Sequence, residues 1–123
     1  MTTDNEQIIR DFVDAWSRRD ADELLGFLAE DAVYHNMPMQ PVQGHDAIRA
    51  VFDFFLPGST AITWDLLHMA SSGDVVFTER VDRFSMGDRE VALPVAGVFE
   101  VADGKITAWR DYFDMAAWTS QAG

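Results

Sequence analysis

Two short stretches combine ionisable side chains with large apolar ones. They are RVDRF at residues 80–84 and WRDYFD at residues 109–114. If both are strands, successive side chains point to opposite faces. Thr78, Arg80, Asp82 and Phe84 then share one face, with Phe77, Glu79, Val81 and Arg83 on the other. Thr107, Trp109, Asp111 and Phe113 likewise share a face, opposite Ile106, Ala108, Arg110, Tyr112 and Asp114. A third stretch, YHN at 34–36, aligns Tyr34 with Asn36 and turns His35 away. Collected on one wall, Tyr34, Asn36, Arg80, Asp82, Trp109 and Asp111 form a polar set inside an apolar surround of Leu93, Val95, Phe84 and Phe113. Two carboxylates with an arginine between them make an acid–base pair with its own bridge.

The same residue types also admit plainer readings. An Arg and an Asp two apart on a strand describe a surface or cross-strand ion pair equally well. Trp109 and Phe113 fit a filled core. His35, His45 and His68 are isolated, without the spacing of metal ligands, so no metal site is expected. No phosphate-cradling glycine loop, dinucleotide fingerprint or G-x-S-x-G elbow is present. Nothing singles out a covalent nucleophile, and there is no cysteine.

Charge and composition narrow the partners. The 123-residue chain has a formal net charge of −12, with 48% hydrophobic residues including nine Phe, four Trp and six Met. Such acidity argues against nucleic acid, which requires Lys and Arg against phosphate, and against an anionic membrane. The start, MTTDNEQ, has no basic region followed by an apolar run, and no uncharged stretch is long enough to span a bilayer. The expectation is one cytoplasmic domain over 1–123 with a core bulky enough to line a pocket.

The elements that must position these residues are legible in the same way. Thr3 and Glu6 form a T-x-x-E capping box, followed by Ile8, Ile9, Phe12, Val13 and Trp16 on one helical face. Asp20 and Glu23 repeat the box before a second short helix, with Leu24, Leu25, Phe27 and Leu28 as its apolar contacts. Residues 31–36 read as a short strand and 37–44 as a loop. Residues 45–55 read as a third helix carrying Ile48, Val51, Phe52 and Phe55. Strands are predicted at 61–70, 74–86, 89–101 and 105–115, and the Asp103–Gly104 pair is the strongest hairpin signal. In the third of these, Val91, Leu93, Val95, Gly97 and Phe99 share a face, and Pro94 must bend the strand or sit where no ladder bond is needed. The order predicts an α+β fold, with three N-terminal helices packed on one face of a curved sheet that leaves a cone.

The order YHNMP…VQGHDAIR, ERVDRF and LPVAGVFEVADGKITAWRDYFD resembles the limonene-1,2-epoxide hydrolase family, over nearly the whole chain. That family has the cystatin-like (NTF2-like, SnoaL-like) fold, so the resemblance implies a strongly curved mixed sheet. The resemblance implies Asp111 as general base, Tyr34 and Asn36 as the residues holding the attacking water, Asp82 as general acid and Arg80 as the bridge. It implies a cofactor-independent addition of water to a small apolar epoxide, giving a vicinal diol. In such a site two neighbouring carboxyls share a proton, because ionising both brings like charges together. They titrate as a coupled pair. Trp109, Leu93, Val95, Phe84 and Phe113 are then the expected substrate-contacting wall. Two other readings of the scaffold stay open: an isomerase or cyclase, which shifts protons at carbon, and a non-enzymatic small-ligand-binding module. Members of the superfamily commonly dimerise through the sheet. Val81, Arg83, Ala96, Val98, Arg110 and Tyr112 on the outer face suit such a homodimer.

Overall fold

The computed structural model describes residues 4–122, so the Thr3 half of the first capping box lies outside the described residues. Helix α1 (Asp4–Ala15) buries Ile9, Phe12, Val13 and Ala15 and leaves Ile8 half-buried. Trp16 opens a 3-10 turn, Trp16–Arg18, which Arg19 closes in the left-handed region at φ 53°. Helix α2 (Ala21–Gly26) is capped as expected at Asp20, whose side chain accepts from the Asp22 and Glu23 N–H groups. The second half of that box does not form. The Glu23 carboxylate is taken up by Arg18 at 2.9 Å. Helix α3 (His45–Phe55) has the predicted bounds, with Ile48 and Phe52 buried.

Six strands form one open, mixed sheet: β1 (Leu28–Asn36), β2 (Val42–Gln43), β3 (Ala61–Ser72), β4 (Val75–Met86), β5 (Arg89–Ala102) and β6 (Lys105–Tyr112). Their order is β2-β1-β6-β5-β4-β3. Strands β3 to β6 are an antiparallel meander, and β1 joins β6 in parallel. Helix α1 lies against β3, and α3 against β1. The core gathers around Phe12, whose ring meets Trp16, Phe27, Trp64, Phe99 and Trp109 edge-on. No helix among the described residues is long and apolar enough to cross a membrane.

Residues 37–44, expected as a loop, contain the two-residue strand β2 paired with β1, and three further sequence expectations need correction. First, β1 begins at Leu28, not at residue 31, and Leu28 packs into the core from the strand rather than from helix α2. Second, Ile106 was placed on the outer face of its strand but is fully buried. The β5–β6 register pairs Glu100 with Ala108 and Val101 with Ile106, so Thr107 is an extra residue. That bulge breaks the strict two-residue alternation and puts both Ile106 and Trp109 inside.

Third, the last strand stops at Tyr112, and residues Met115–Ala122 form a fourth helix, α4. Asp114 starts it, accepting the Ala116 N–H at its side chain and the Ala117 N–H at its carbonyl. Helix α4 packs on β5, where β6 has run out: the last β5–β6 pair is Ala96 with Tyr112. Beyond it, the Ala92 N–H and C=O are met by the Gln121 side chain at 2.9 and 3.0 Å. By the same alternation the Pro94 nitrogen faces this edge past the end of β6. Its missing N–H therefore costs no ladder bond.

Candidate active site

Strand alternation carries Thr78, Arg80, Asp82 and Phe84 of β4 to the concave side of the sheet, and all four are buried. The Arg80 guanidinium is 1% exposed, and every one of its nitrogens has a partner. Nε donates to Asp82 Oδ1 at 3.0 Å, Nη2 to Asp82 Oδ2 at 2.9 Å, and Nη1 to Thr78 Oγ1 at 3.1 Å. The same Nη2 donates to Asp111 Oδ2 at 3.1 Å. One nitrogen therefore bridges the carboxylates of two strands that are not neighbours, β4 and β6, across β5. The Trp64 ring covers the guanidinium at 4.1 Å, adding a cation–π contact to a cation shielded from solvent.

The bridge crosses β5 at Gly97, which pairs with Thr78 on one side and Asp111 on the other. A Cβ at this position would lie 2.3 Å from Arg80 Nη1, 2.8 Å from Thr78 Oγ1 and 2.9 Å from Asp111 Oδ1. Glycine here makes room for the bridge.

On the other flank, the parallel β1–β6 register sets Asn36 beside Asp111 and Tyr34 beside Trp109. The Tyr34 hydroxyl donates to Asn36 Oδ1 at 3.0 Å, and its ring stacks on Trp109 at 3.8 Å. Asp111 Oδ1 has no hydrogen-bond partner among the described residues.

Electrostatics separate these groups from ordinary surface residues. Burial pushes the Asp82 carboxyl up to about 6, outweighing the pull of Arg80, and the neighbouring Asp111 adds to the rise. Burial and the Asp111 charge raise the Tyr34 hydroxyl well above its ordinary value. For Arg80 burial opposes the charge, but Asp111 and Asp82 together overcome it, so the guanidinium is held cationic. A cavity of about 450 Å³ opens over Asp82, Asp111, Tyr34 and Asn36. Its other walls are mostly apolar, among them Trp16, Val51, Phe55, Trp64, Phe84, Leu93, Val95 and Phe113. Among the described residues, no group of three or more His, Asp or Glu is placed to hold a metal ion.

Residues 3–122 match the family model of the limonene-1,2-epoxide hydrolase catalytic domain. The chain belongs to the limonene-1,2-epoxide hydrolase family. It is 34% identical over 104 residues to the epoxide hydrolase EphG of Mycobacterium tuberculosis, covering 85% of this chain and 69% of that protein. A solved M. tuberculosis epoxide hydrolase of the same type superposes with a TM-score of 0.84 at 31% identity, over 97% of this chain and 89% of that one. The fold is wider than the family. An NTF2-like protein of unknown function from Burkholderia pseudomallei gives a TM-score of 0.86 at 21% identity, over 98% of both chains. Membership and the EphG similarity support an epoxide hydrolase.

In this family member Asp82, Asp111, Tyr34 and Asn36 come together at one cavity, with Arg80 sealed behind the two carboxylates. Of the expected wall, Leu93, Val95, Phe84 and Phe113 line the cavity. Trp109 does not. It is 1% exposed and sits behind Tyr34, stacked also on Phe99.

Several contributors went unassigned from sequence. Thr78 and Gly97 fell on the correct faces without a role, and an isolated glycine inside a strand was itself a signal of close approach. Trp64 could have been found by extending the alternation into β3, where Ile62 and Trp64 are the buried pair. Met115, Trp118 and Thr119 of α4 also line the cavity, in a segment where the sequence predicts no helix.

Proposed function

We propose that this chain hydrolyses small apolar epoxides to vicinal diols in one general acid–base step, with no cofactor. The observation that carries the reading is the Arg80 bridge: a single buried nitrogen within hydrogen-bond reach of Asp82 and Asp111, both on the wall of an apolar cavity.

In the proposed step Asp111 is the base. It removes a proton from a water as that oxygen bonds to an oxirane carbon. Asp82 is the acid and protonates the ring oxygen as its carbon–oxygen bond breaks. Water and epoxide are consumed, one diol is formed, and the proton that Asp82 gave up is matched by the one Asp111 gained. With one proton shared between the carboxylates, the unit Asp111–Arg80–Asp82 is neutral. That is the tolerable charge state for a buried cluster. The burial-driven rise of Asp82 is the direction an acid requires.

Tyr34 and Asn36 orient the water. Because the Tyr34 proton is already given to Asn36 Oδ1, the hydroxyl oxygen and the remaining amide capacity are left for it. After turnover the proton must return from Asp111 to Asp82, and Arg80 touches both. The apolar walls favour a terpene-like, alicyclic or aliphatic epoxide over a polar one. A positioned water has no part in an isomerase or cyclase, which shifts protons at carbon, so the Tyr34–Asn36 pair beside Asp111 favours hydrolysis.

A cytoplasmic homodimer completes the proposal. Phe77 and Tyr112 are 44% and 46% exposed on the outer sheet face, and Phe77 pairs with Val98 there. Asp111→Asn and Asp82→Asn are the test of the chemistry. Both variants should fold and bind, and each should lose nearly all turnover on a panel of cyclic and aliphatic epoxides. Wild-type-like turnover in either variant, or none in the parent protein, would remove the proposal.

A further inference from the structure

Helix α4 walls the cavity with half-buried residues: Ala117, Trp118 and Ala122 pack against the core, but none of its residues is fully buried. Its eight residues are too few to be stable as an isolated helix. Its hydrogen bonds to the sheet are concentrated at Gln121. The amide oxygen accepts the Ala92 N–H at 2.9 Å, and the amide nitrogen donates to the Ala92 carbonyl at 3.0 Å. That nitrogen also donates to Ala117 O at 2.8 Å, tying the side chain to its own helix. The pair of bonds continues the sheet where β6 ends, satisfying backbone groups on a half-buried edge that would otherwise lack partners. One turn earlier on the same helix, Trp118 stands against Phe55 and Phe84 at 5.5 and 5.4 Å, closing the cavity between α3 and β4.

We propose that Gln121 is a positioning residue that latches α4 to the free edge of β5 and, through Trp118, sets the largest substrate the cavity accepts. This rests on the reading of the cavity as the epoxide site. Gln121 touches neither Asp82, Asp111 nor Arg80, so its loss should act on substrate fit and leave the acid–base chemistry alone.

The test compares the parent protein with Gln121→Ala, Trp118→Ala and the double variant, on cyclohexene oxide and on bulkier stilbene oxide. Gln121→Ala should shift the kcat/KM ratio toward stilbene oxide by roughly tenfold, chiefly through KM, with the pH profile unmoved. Trp118→Ala should give the same shift. In the double variant Gln121→Ala should add nothing further, because both changes act on one wall. Hydrogen exchange at the Ala92 amide supplies a readout independent of turnover, and it should speed up in Gln121→Ala. Should that variant lose α4 altogether, Gln121→Glu carries the test. It keeps the oxygen for the Ala92 N–H, loses the donor to the carbonyls, and should give an intermediate shift.

An unchanged Ala92 amide, an unchanged ratio where Trp118→Ala moves it, or additive shifts in the double variant would each overturn the latch. If the parent protein turned over neither epoxide, the functional reading would fail, not the latch. The latch would then be read from Ala92 exchange and from relative affinity for hexanamide and diphenylacetamide.

Discussion

Replacing Gly97 by alanine adds a single methyl group at the point where side chains of β4 and β6 meet across β5. The new Cβ would sit 2.3 Å from Arg80 Nη1, 2.8 Å from Thr78 Oγ1 and 2.9 Å from Asp111 Oδ1. Carbon seeks about 3.5 Å from such atoms, so the guanidinium has to retreat by roughly 1 Å. A surface arginine would simply swing away. Arg80 cannot, because Asp82 holds two of its nitrogens, Asp111 shares one of them, and Trp64 covers its face. Backbone strain plays no part, since Gly97 is not among the positive-φ glycines.

Overpacking of this kind costs about 1–3 kcal/mol, rising toward roughly 3–5 kcal/mol if the bridge to either carboxylate breaks. Displacing the catalytic geometry by an ångström should lower turnover by about a hundredfold. Urea unfolding and epoxide turnover, measured together, check both numbers. A Gly97→Ala protein with the parent's denaturation midpoint and the parent's rate would refute the placement of Arg80 and the bridge built on it.

Other outcomes follow from the same geometry. Thr78→Val leaves a buried guanidinium N–H without its acceptor and should cost about 1–3 kcal/mol in chemical denaturation, while Thr78→Ser should restore most of it. Tyr34→Phe keeps the ring stacked on Trp109 but frees Asn36; turnover should fall by roughly ten- to a hundredfold, with little change in melting temperature. Asp82 gives a dependence of stability on pH. Its carboxyl sits at about 6 in the folded protein against an ordinary 3.8, so the native state binds the proton more tightly. Its contribution is therefore complete below pH 3.8 and is lost as pH rises through about 6. Unfolding curves across that range should show the decline in the parent protein and lose it in Asp82→Asn. A parallel decline in both would assign it elsewhere.

The inward face of β4 was readable because alternation there is unbroken: Thr78, Arg80, Asp82 and Phe84 are all buried. Helix α3 was readable to the residue, since its apolar spacing sits between a glycine and a proline. Two features resisted. The bulge at Thr107 reverses the facing of Ile106, and no local composition marks it, because it is fixed by pairing with β5. Helix α4 has a weak apolar pattern and no fully buried residue, and it settles on an edge of β5 that exists only once β6 has stopped. Trp109 illustrates a third limit. Alternation puts it on the cavity side, but the Tyr34 ring stacked over it takes the place at the cavity wall.

The most direct test of direct water addition is a single turnover in ¹⁸O-labelled water with enzyme in excess over epoxide. If Asp111 activates water, the label appears in the diol in that first turnover, and the protein carboxylates stay unlabelled. Unlabelled diol from the first turnover, with ¹⁸O recovered in the peptide carrying Asp82 or Asp111, would contradict the mechanism and point to a covalent ester.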